Sequence, residues 1–344
     1  MRVAVLAPVW FPVPPTGYGG IEWVVWLLAD GLVDAGHDVT LFAAGDSHTR
    51  AKLEFVYDEA PSEEIGRSFP DLRHVLHCYG QQENFDLIND HTGIMGAAMG
   101  GSLRTPVAHT VHGPLDGFPG QLYEHIGTVA PAVGLISISE NQRKPKPHLN
   151  WVGNCPNALD LDLYPFAPHD GGDYLLFLGR MSFDKGAHRA VATAIEAGVP
   201  LKIAGKMREP LEIEYFDEYV RPHLSSEIEY VGEVSHGEKV ELLQGARATL
   251  FPISWEEPFG LVMIESMACG TPVIATRWGA VPEVVEPGRS GVIVDDWSQS
   301  VAALEEIDSI TAESCRAYIE ESFAPQRMVR DYLAAYEALL DARV

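Results

Sequence analysis

The sequence predicts an α/β protein with two Rossmann-like domains whose parallel sheets face a central cleft. Three observations predict this architecture. The chain has 344 residues, which is long for a single hydrophobic core. Short apolar runs alternate with segments of helical period in both halves, a pattern typical of parallel sheets covered by helices. Near Trp151 this alternation gives way to a stretch rich in Pro, Gly and Asp, and then it restarts.

The composition is that of a water-soluble globular protein, with 46% hydrophobic and 21% charged residues. The formal net charge of −25 argues against a nucleic-acid partner and against strong association with anionic membranes. The four cysteines lie far apart without a CxxC pair, which favours reduced thiols in a cytoplasmic protein. The apolar N-terminal run "MRVAVLAPVWF" is too short to span a bilayer, and we interpret it as a first buried strand.

The first half contains five predicted strands and one clear helix. The strands are Val3–Pro8, Val39–Ala43, Leu87–Asn89, Val107–Val111 and Leu135–Ser139. The helix is "GIEWVVWLLADGLVDAG", and the glycine-rich loop "PPTGYGG" precedes it. Glu22 stands where a dinucleotide fingerprint requires its third glycine, so that interpretation fails. The loop is either a tight turn or a contact to a phosphate or sugar.

The stretch "WVGNCPNALDLDLYPFAPHDGGD" predicts the connection between domains, with the first at 1–160 and the second at 161–324. Six further strands follow, at Tyr174–Leu178, Leu201–Ala204, Ile228–Val231, Thr249–Ile253, Val273–Ala275 and Val292–Val294. The last predicted helix covers Arg327 to Leu340, and its packing partner is not fixed by the pattern.

Ligands of parallel sheets bind beyond the carboxyl ends of the strands, so the residues that follow strands are the candidates. His112 lies at the tip of "HTVHGP". In "LGRMSFDKGAHRA", Arg180 leaves a strand and Lys185 opens a helix, so both cations would converge on a polyanion unless they are simply solvated. Gly205, at the end of the next strand, would leave space for a ligand.

The segment "WEEPFGLVMIESMACG" predicts a strand exit, a stiff loop and a short helix. Phe259, Gly260 and Leu261 form the predicted first turn, whose amide groups suit a diphosphate. Glu257 precedes the helix and Glu265 lies inside it, where a carboxylate can accept two hydrogen bonds from vicinal hydroxyls. The alternative is one capping carboxylate and one solvated carboxylate.

Together, "GRMSFDKG", "EPFGLVMIE", "ACGTPVIAT" and "GAVPEVVEPGRSGVIVDD" resemble the retaining family 4 glycosyltransferases of GT-B fold. The resemblance extends to "TGYGGIEWVV", "ISISENQR" and "NCPNALD". It implies transfer of a hexose from a nucleoside-diphosphate sugar to a hydroxyl group, with retention of the anomeric configuration. It also implies that the C-terminal helix, about 325–344, packs back on the first domain.

The resemblance implies specific roles for the candidate residues. Glu265 would bind the ribose, while Glu257 and His112 would be catalytic beside the transferred sugar. The residues implied for the diphosphate are Gly19, Gly20, Arg180, Lys185, Phe259, Gly260 and Leu261. Those implied near the base are Gly205, Glu233 and Val234. Tyr18, His91 and Phe118 are expected on the acceptor side, with Tyr18 and Phe118 in loops.

The resemblance favours a UDP-sugar, with GDP-mannose possible. The acidic composition and the aromatic residues of the first domain favour a small soluble acceptor, such as a natural product or a saccharide. We expect no cofactor and no metal, because cations and amides can stabilise the leaving diphosphate. The "DLD" at Asp160–Asp162 is interpreted as a turn. The expected assembly is a monomer or homodimer. The alternatives are a sugar-nucleotide epimerase, a phosphorylase of the same fold, or a non-catalytic nucleotide-sugar-binding subunit.

Overall fold

The computed structural model describes residues 1–17, 19–166 and 172–342. The chain divides into two units, of which the first joins Met1–Leu159 to Pro325–Val344 and the second comprises Asp160–Ala324. The sequence places the boundary one residue later, after 160. Among the described residues, no helix combines the length and the apolarity that a membrane crossing requires.

The first unit contains one sheet in which every pair of neighbouring strands is parallel. Its strands are β1 (Arg2–Leu6), β2 (Asp38–Phe42), β3 (Lys52–Glu54), β4 (Leu87–Asp90), β5 (Val107–Thr110), β6 (Gly134–Ser137) and β7 (Trp151–Asn154). The spatial order is β3-β2-β1-β4-β5-β6-β7. This is the order of a Rossmann-like sheet with an added edge strand. The helices that connect these strands are α1 (Gly20–Asp34), α2 (Ser68–Tyr79), α3 (Ile94–Gly100), α4 (Gly117–Val129) and α5 (Glu140–Arg143).

Two edge strands depart from the sequence analysis. β7 lies inside the stretch that we interpreted as the connection between domains, so that stretch begins later than expected. Its sequence, Trp-Val-Gly-Asn, is partly buried throughout and lacks the apolar run of a central strand. β3 has only three residues, two of them charged and exposed. Edge strands do not need two apolar faces, and hydrophobic periodicity therefore misses them.

The second unit repeats the design with six parallel strands. They are β8 (Tyr174–Leu178), β9 (Leu201–Ala204), β10 (Ile228–Gly232), β11 (Ala246–Phe251), β12 (Val273–Thr276) and β13 (Gly291–Val294), in the order β10-β9-β8-β11-β12-β13. Its helices are α6 (Ala187–Ala197), α7 (Pro210–Tyr219), α8 (His236–Gly245), α9 (Leu261–Ala268), α10 (Val281–Val284), α11 (Ser300–Ile307) and α12 (Ala312–Ser322). All six predicted strands are present, with ends shifted by up to three residues. Short 3₁₀ turns in the two units lie at Ser62–Glu64, Gln82–Asn84, Leu161–Leu163, Arg221–His223 and Trp297–Gln299.

The last helix, α13 (Pro325–Asp341), belongs to the first unit, although 165 residues of the second unit precede it (Asp160–Ala324). It packs against β7, β5 and α1. Its buried side chains recur at helical spacing on one face, at Met328, Val329, Tyr332, Ala335, Tyr336 and Leu339. The helix thus packs over the part of the sheet that contains β5 and β7.

Replacing Leu339 by Ala should destabilise the first unit by about 2–5 kcal/mol, because the truncation leaves a cavity against β6 and β7. L340A, one residue further along the same helix at a partly exposed position, is the matched control and should cost less than half as much. Differential scanning calorimetry of both variants measures the difference. Equal losses would show that α13 does not bury its apolar face in this way.

Candidate functional site

Two cations follow β8 in the second unit, as the sequence analysis expected. Arg180 comes two residues after the strand, and its Nη2 lies 3.7 Å from Asp184 Oδ2. Lys185 lies immediately before Gly186, the N-cap of α6. Its side chain is mostly buried and forms an ion pair with Glu257. The position at the amino end of α6 places this ammonium group among amides that also favour anions.

The loop after β11 is held against the loop that carries Lys185. The amide of Ser254 donates to the carbonyl of Asp184 at 2.9 Å, and the Arg189 guanidinium donates to the carbonyl of Pro252 at 2.9 Å. Lys185 Nζ lies 4.7 Å from the centre of the Trp255 ring, a cation–π distance. The cation is therefore enclosed by a carboxylate and an aromatic face before any ligand arrives.

The helix that carries Glu265 begins later than the sequence predicted. α9 starts at Leu261 with Gly260 as its N-cap, so Phe259 precedes the helix and does not form its first turn. The Phe259 side chain is buried, and its ring centre lies 5.9 Å from that of Phe323. Phe259 can therefore offer only its backbone to a ligand. The first amides of α9 lack acceptors within the helix, as at any helix start.

Glu265 is nearly buried within the second unit and has two partners on one oxygen. Its Oε1 accepts a hydrogen bond from the Tyr164 hydroxyl at 2.7 Å and from Lys239 Nζ at 2.6 Å. Its Oε2 accepts no hydrogen bond from the described residues and is not among the buried unpaired atoms. One carboxylate oxygen is thus fixed by the protein, while the other is left for a ligand.

The three residues expected near a base lie close together on the β9 and β10 side of the sheet. Gly205 follows β9, and a Cβ atom there would collide with the carbonyl oxygen of Gly179, so backbone packing by itself already requires glycine. The Gly205 amide donates to the carbonyl of Gly232 at 2.9 Å. Glu233 is exposed and pairs with Arg208 at 2.7 Å, and Val234 is partly exposed.

In the first unit, Gly19 and Gly20 lead into α1, and Tyr18 lies outside the described residues. Gly19 has φ 148°, a conformation that disfavours a side chain, and a Cβ atom there would lie 2.9 Å from both Glu22 Oε2 and Pro15 Cβ. Glu22 is almost fully buried, and burial raises its pKa to about 7 despite a hydrogen bond from its own amide. A carboxyl group that titrates near neutrality therefore underlies this glycine loop.

His112 and His91 follow neighbouring strands, β5 and β4. His91 Nδ1 lies 2.9 Å from His112 Nε2, and His91 Nε2 lies 2.8 Å from Asn89 Oδ1. His91 is 1% exposed, and both its ring nitrogens have protein partners. His112 is partly exposed. The buried Gln142 donates through Nε2 to the carbonyls of Val111 and Gly113, both at 2.8 Å, which fixes the loop that carries His112.

A buried carboxylate, that of Asp90, is hydrogen-bonded to residues close to His91 and His112 in the chain. Asp90, at the end of β4, is fully buried and accepts hydrogen bonds from His109 Nδ1 at 2.8 Å and from the amide and hydroxyl of Thr92. Burial would raise the pKa of Asp90, but the attraction of His109 and these hydrogen bonds outweigh it and lower the pKa below its usual value. His109 Nε2 in turn lies 2.8 Å from the Tyr123 hydroxyl.

Phe118, expected in a loop on the acceptor side, lies instead in the first turn of α4. Its ring is 68% exposed, so it remains available to a ligand or partner. The sequence analysis failed to see this helix start because Pro119 and Gly120 interrupt its apolar pattern. Proline is well tolerated within a first helical turn, so these residues do not prevent the helix.

Comparison with known proteins identifies the family. A family model described as Glycosyltransferase Family 4 matches residues 18–143, and a model described as Glycosyl transferases group 1 matches residues 165–322. The chain belongs to the family 4 glycosyltransferases. The two parallel-sheet units agree with the GT-B fold of this family, which confirms the fold class expected from the sequence.

Several characterised proteins are similar to this family 4 glycosyltransferase. A glycogen synthase of Mycobacterium tuberculosis is 33% identical over 193 residues, which cover 54% of this chain and 44% of that enzyme. The chain thus aligns with less than half the length of that relative. A D-inositol 3-phosphate glycosyltransferase of Arthrobacter is 24% identical over 94% of this chain and 91% of its own length.

Solved structures of similar fold cover nearly the whole chain. AviGT4, a glycosyltransferase involved in avilamycin A biosynthesis, superposes with a TM-score of 0.70 at 26% identity, covering 99% of this chain and 98% of AviGT4. HepE from Anabaena, in complex with UDP and glucose, gives a TM-score of 0.75 at 18% identity, covering 98% of this chain and all of HepE. The second likeness concerns the fold alone.

The sequence analysis of this family 4 glycosyltransferase missed the residues that support the expected ones. Lys239, Tyr164 and Trp255 contact Glu265 or Lys185, and Asn89 and Gln142 hold the histidines. Asn89 offered a signal, because it is a polar side chain within an apolar strand segment. Gln142 offered none, since a glutamine in a short helix is ordinarily solvated. Lys239 offered none, since a lysine on a helix is ordinarily solvated.

The E22Q variant should be more stable than the parent protein at about pH 8 and equally stable at about pH 4. The folded-state pKa of Glu22 is raised, so protonation stabilises the folded protein below the unfolded-state pKa of 4.5, and this advantage is lost as pH rises through about 7. The gain at alkaline pH is at most about 3 kcal/mol. Thermal denaturation across pH measures it.

The control is E337Q, which removes an exposed carboxylate from α13 with the same change in net charge. A gain common to both variants would come from net charge and not from burial of Glu22. Absence of any alkaline gain in E22Q would contradict the assignment.

Proposed function

We propose that the protein transfers a hexose from a nucleoside-diphosphate sugar to a hydroxyl group of a small acceptor, with retention of configuration. The observation that carries this proposal is the arrangement in the second unit. There, Lys185 forms an ion pair with Glu257, and Glu265 keeps one carboxylate oxygen without a hydrogen bond from the described residues. Arg180 follows the same strand as Lys185 and lies beside Asp184. The cations would bind a diphosphate, Glu257 would bind a sugar, and the free oxygen of Glu265 would bind a ribose.

Breaking the bond between the sugar and the nucleotide leaves negative charge on the departing diphosphate. Arg180 and Lys185 supply positive charge, and the amides at the start of α9 supply hydrogen bonds to the phosphate oxygens. Because these donors are fixed before the reaction, they stabilise the charge without reorganisation. This set of groups does not require a divalent metal, so we propose a metal-independent transfer.

The ion pair between Lys185 and Glu257 gives the two residues linked roles. Before the donor binds, each neutralises the other at a mostly buried position. A diphosphate competes for the ammonium group of Lys185 and releases Glu257 to accept hydrogen bonds from the sugar hydroxyls. Donor binding thus exchanges the ion pair with Glu257 for one with the diphosphate, and hydrogen bonds from the sugar hydroxyls stabilise the released carboxylate. Glu257 then orients the sugar and is not a nucleophile, and the leaving phosphate serves as base.

Glu265 is proposed to bind the ribose through its free Oε2. Tyr164 and Lys239 fix Oε1, so the carboxylate is already oriented when the nucleotide arrives. In the first unit, His112 is proposed to contact the transferred sugar, and the amides of Gly19 and Gly20 the diphosphate. Gly205, Glu233 and Val234 are proposed near the base.

A UDP-sugar is the favoured donor, with GDP-mannose as the second choice. HepE, which shares the fold, was crystallised with UDP and with UDP-glucose, and this supports the choice of UDP. AviGT4 is involved in avilamycin A biosynthesis, which supports a natural product as acceptor. The exposed ring of Phe118 is a candidate contact for such an acceptor, and Tyr18 is another.

The exchange at Lys185 predicts opposite effects of two substitutions on the binding of UDP. K185A should weaken UDP about 10- to 100-fold, because a charge-assisted hydrogen bond to phosphate is lost. E257Q should bind UDP at least as tightly as the parent protein, because it frees Lys185, yet should lose hydrolysis of the donor sugar. Isothermal titration with UDP and a hydrolysis assay over a nucleotide-sugar panel measure both effects.

K52A, which removes an exposed lysine of the first unit, is the control and should leave both measurements unchanged. The proposal fails if UDP, GDP and their sugars neither bind nor raise the melting temperature. NMR of the reaction products identifies an epimerase, since that enzyme would leave the altered sugar on its nucleotide.

The free oxygen of Glu265 predicts a ligand-specific effect. E265Q should lower the affinity for UDP about tenfold, because an amide cannot accept from the ribose while keeping Lys239 paired. The affinity for 2′,3′-dideoxy-UDP, which lacks both ribose hydroxyls, should change far less. E305Q, at an exposed position of α11, is the control. Equal losses for the two nucleotides would refute a ribose contact.

A further inference from the structure

The orientation of the Asn89 amide is fixed by its neighbours in the first unit. Its Nδ2 donates to the carbonyl oxygen of Ala108 at 2.9 Å and to the hydroxyl of Thr110 at 3.3 Å. A carbonyl oxygen only accepts hydrogen bonds, so a flipped amide would place two acceptors face to face. Asn89 Oδ1 must therefore point the other way, where the Tyr336 hydroxyl donates to it at 2.7 Å.

This orientation sets the direction of every following hydrogen bond. Because Asn89 Oδ1 is an acceptor, His91 must carry its proton on Nε2, which lies 2.8 Å away. A neutral imidazole with a proton on Nε2 has a lone pair on Nδ1. The partner of His91 Nδ1 is His112 Nε2 at 2.9 Å, which must then be the donor.

Both histidines are neutral in this arrangement. Burial, together with repulsion from His112 and His109, holds the pKa of His91 well below its usual value. Burial, with repulsion from His109, lowers the pKa of His112 to about 3. A neutral His112 that carries its proton on Nε2 has an unprotonated Nδ1. Among the described residues this atom has no hydrogen-bond partner, and it is not one of the buried unpaired atoms.

We propose that His91 is a positioning residue that holds His112 in the Nε2–H tautomer, so that His112 Nδ1 accepts a hydrogen bond from a hydroxyl of the bound sugar. The proposal rests on the proposed function for the identity of the ligand, but the tautomer is a property of the free protein. In this tautomer, the Nδ1 atom of His112 can only accept a hydrogen bond. The site then selects a hydroxyl donor at that point of the ligand.

Residues from α13 keep the relay dry and aligned. Tyr336 is fully buried and shares Asn89 Oδ1 with His91, and the ring centre of Tyr332 lies 5.8 Å from that of His91. Without water, His91 has no alternative partner for either nitrogen, so the second tautomer is not populated. Asn89 therefore determines which nitrogen of His112 is the acceptor, through two successive hydrogen bonds that pass through His91.

The first experiment reads the tautomer directly in the ligand-free protein. With ¹⁵N-labelled histidine rings, the signals of His91 and His112 are assigned by their loss in H91F and H112Q. We expect an unprotonated Nδ1 and a protonated Nε2 on His112 in the parent protein. In H91F, which keeps an aromatic ring against Tyr332 but offers no acceptor, His112 should populate both tautomers.

The second experiment measures hydrolysis of UDP-glucose and of its monodeoxy analogues. H91F should lower kcat/KM for UDP-glucose about tenfold, the value of one hydrogen bond, and should lose discrimination against one of the deoxy sugars. H91Q retains an acceptor towards His112 and a donor towards Asn89, so it should restore activity to within about threefold. Y336F removes a buried hydroxyl from the same Asn89 oxygen while leaving the relay intact, and it should keep the parent tautomer.

Three results would overturn the proposal: a proton on His112 Nδ1 in the parent protein, an unchanged tautomer in H91F, or equal losses in H91F and H91Q. If the parent protein neither binds nor hydrolyses any nucleotide-sugar, the proposed function fails, and the NMR spectra still decide whether His91 sets the tautomer.

Discussion

Both units depend on the direction of their strands, because the carboxyl ends of all strands in a parallel sheet lie at the same edge. In the first unit this brings His91, after β4, beside His112, after β5. In the second unit it brings Lys185, after β8, to Glu257, after β11. In each unit, neighbouring strands place groups from distant parts of the sequence within hydrogen-bonding distance. A parallel sheet thus assembles a site without any strand having to carry more than one or two polar residues.

Charge is managed differently at the two edges. In the second unit, Lys185 and Lys239 form ion pairs with glutamates, so each mostly buried ammonium group is stable without a ligand. In the first unit, the buried carboxylate of Asp90 is hydrogen-bonded to His109 and not to His112. Under the proposed function, the neutral His112 would face the uncharged sugar, and Lys185 would face the anionic diphosphate.

The sequence predicted the central strands well because a strand buried on both faces must be apolar, and only β3 and β7 at the edges escaped. It also predicted the residues that leave the strands, since Arg180, Lys185 and His112 interrupt apolar texture. It could not predict their partners. That Lys239 reaches Glu265, or that Tyr336 donates to Asn89, depends on contacts between segments far apart in the chain. The depth of Glu22 also escaped, because a glutamate in a first helical turn ordinarily faces water.

The hydroxyl that Tyr336 gives to Asn89 comes from a residue 247 positions further along the chain. A ribosome therefore delivers both histidines long before it delivers the helix that covers them, and the whole second unit emerges in the interval. Until α13 docks, water can reach Asn89 and compete for its oxygen. The second unit is thus synthesised before Asn89 is covered, and docking of the last helix is the step that excludes water from Asn89 and His91.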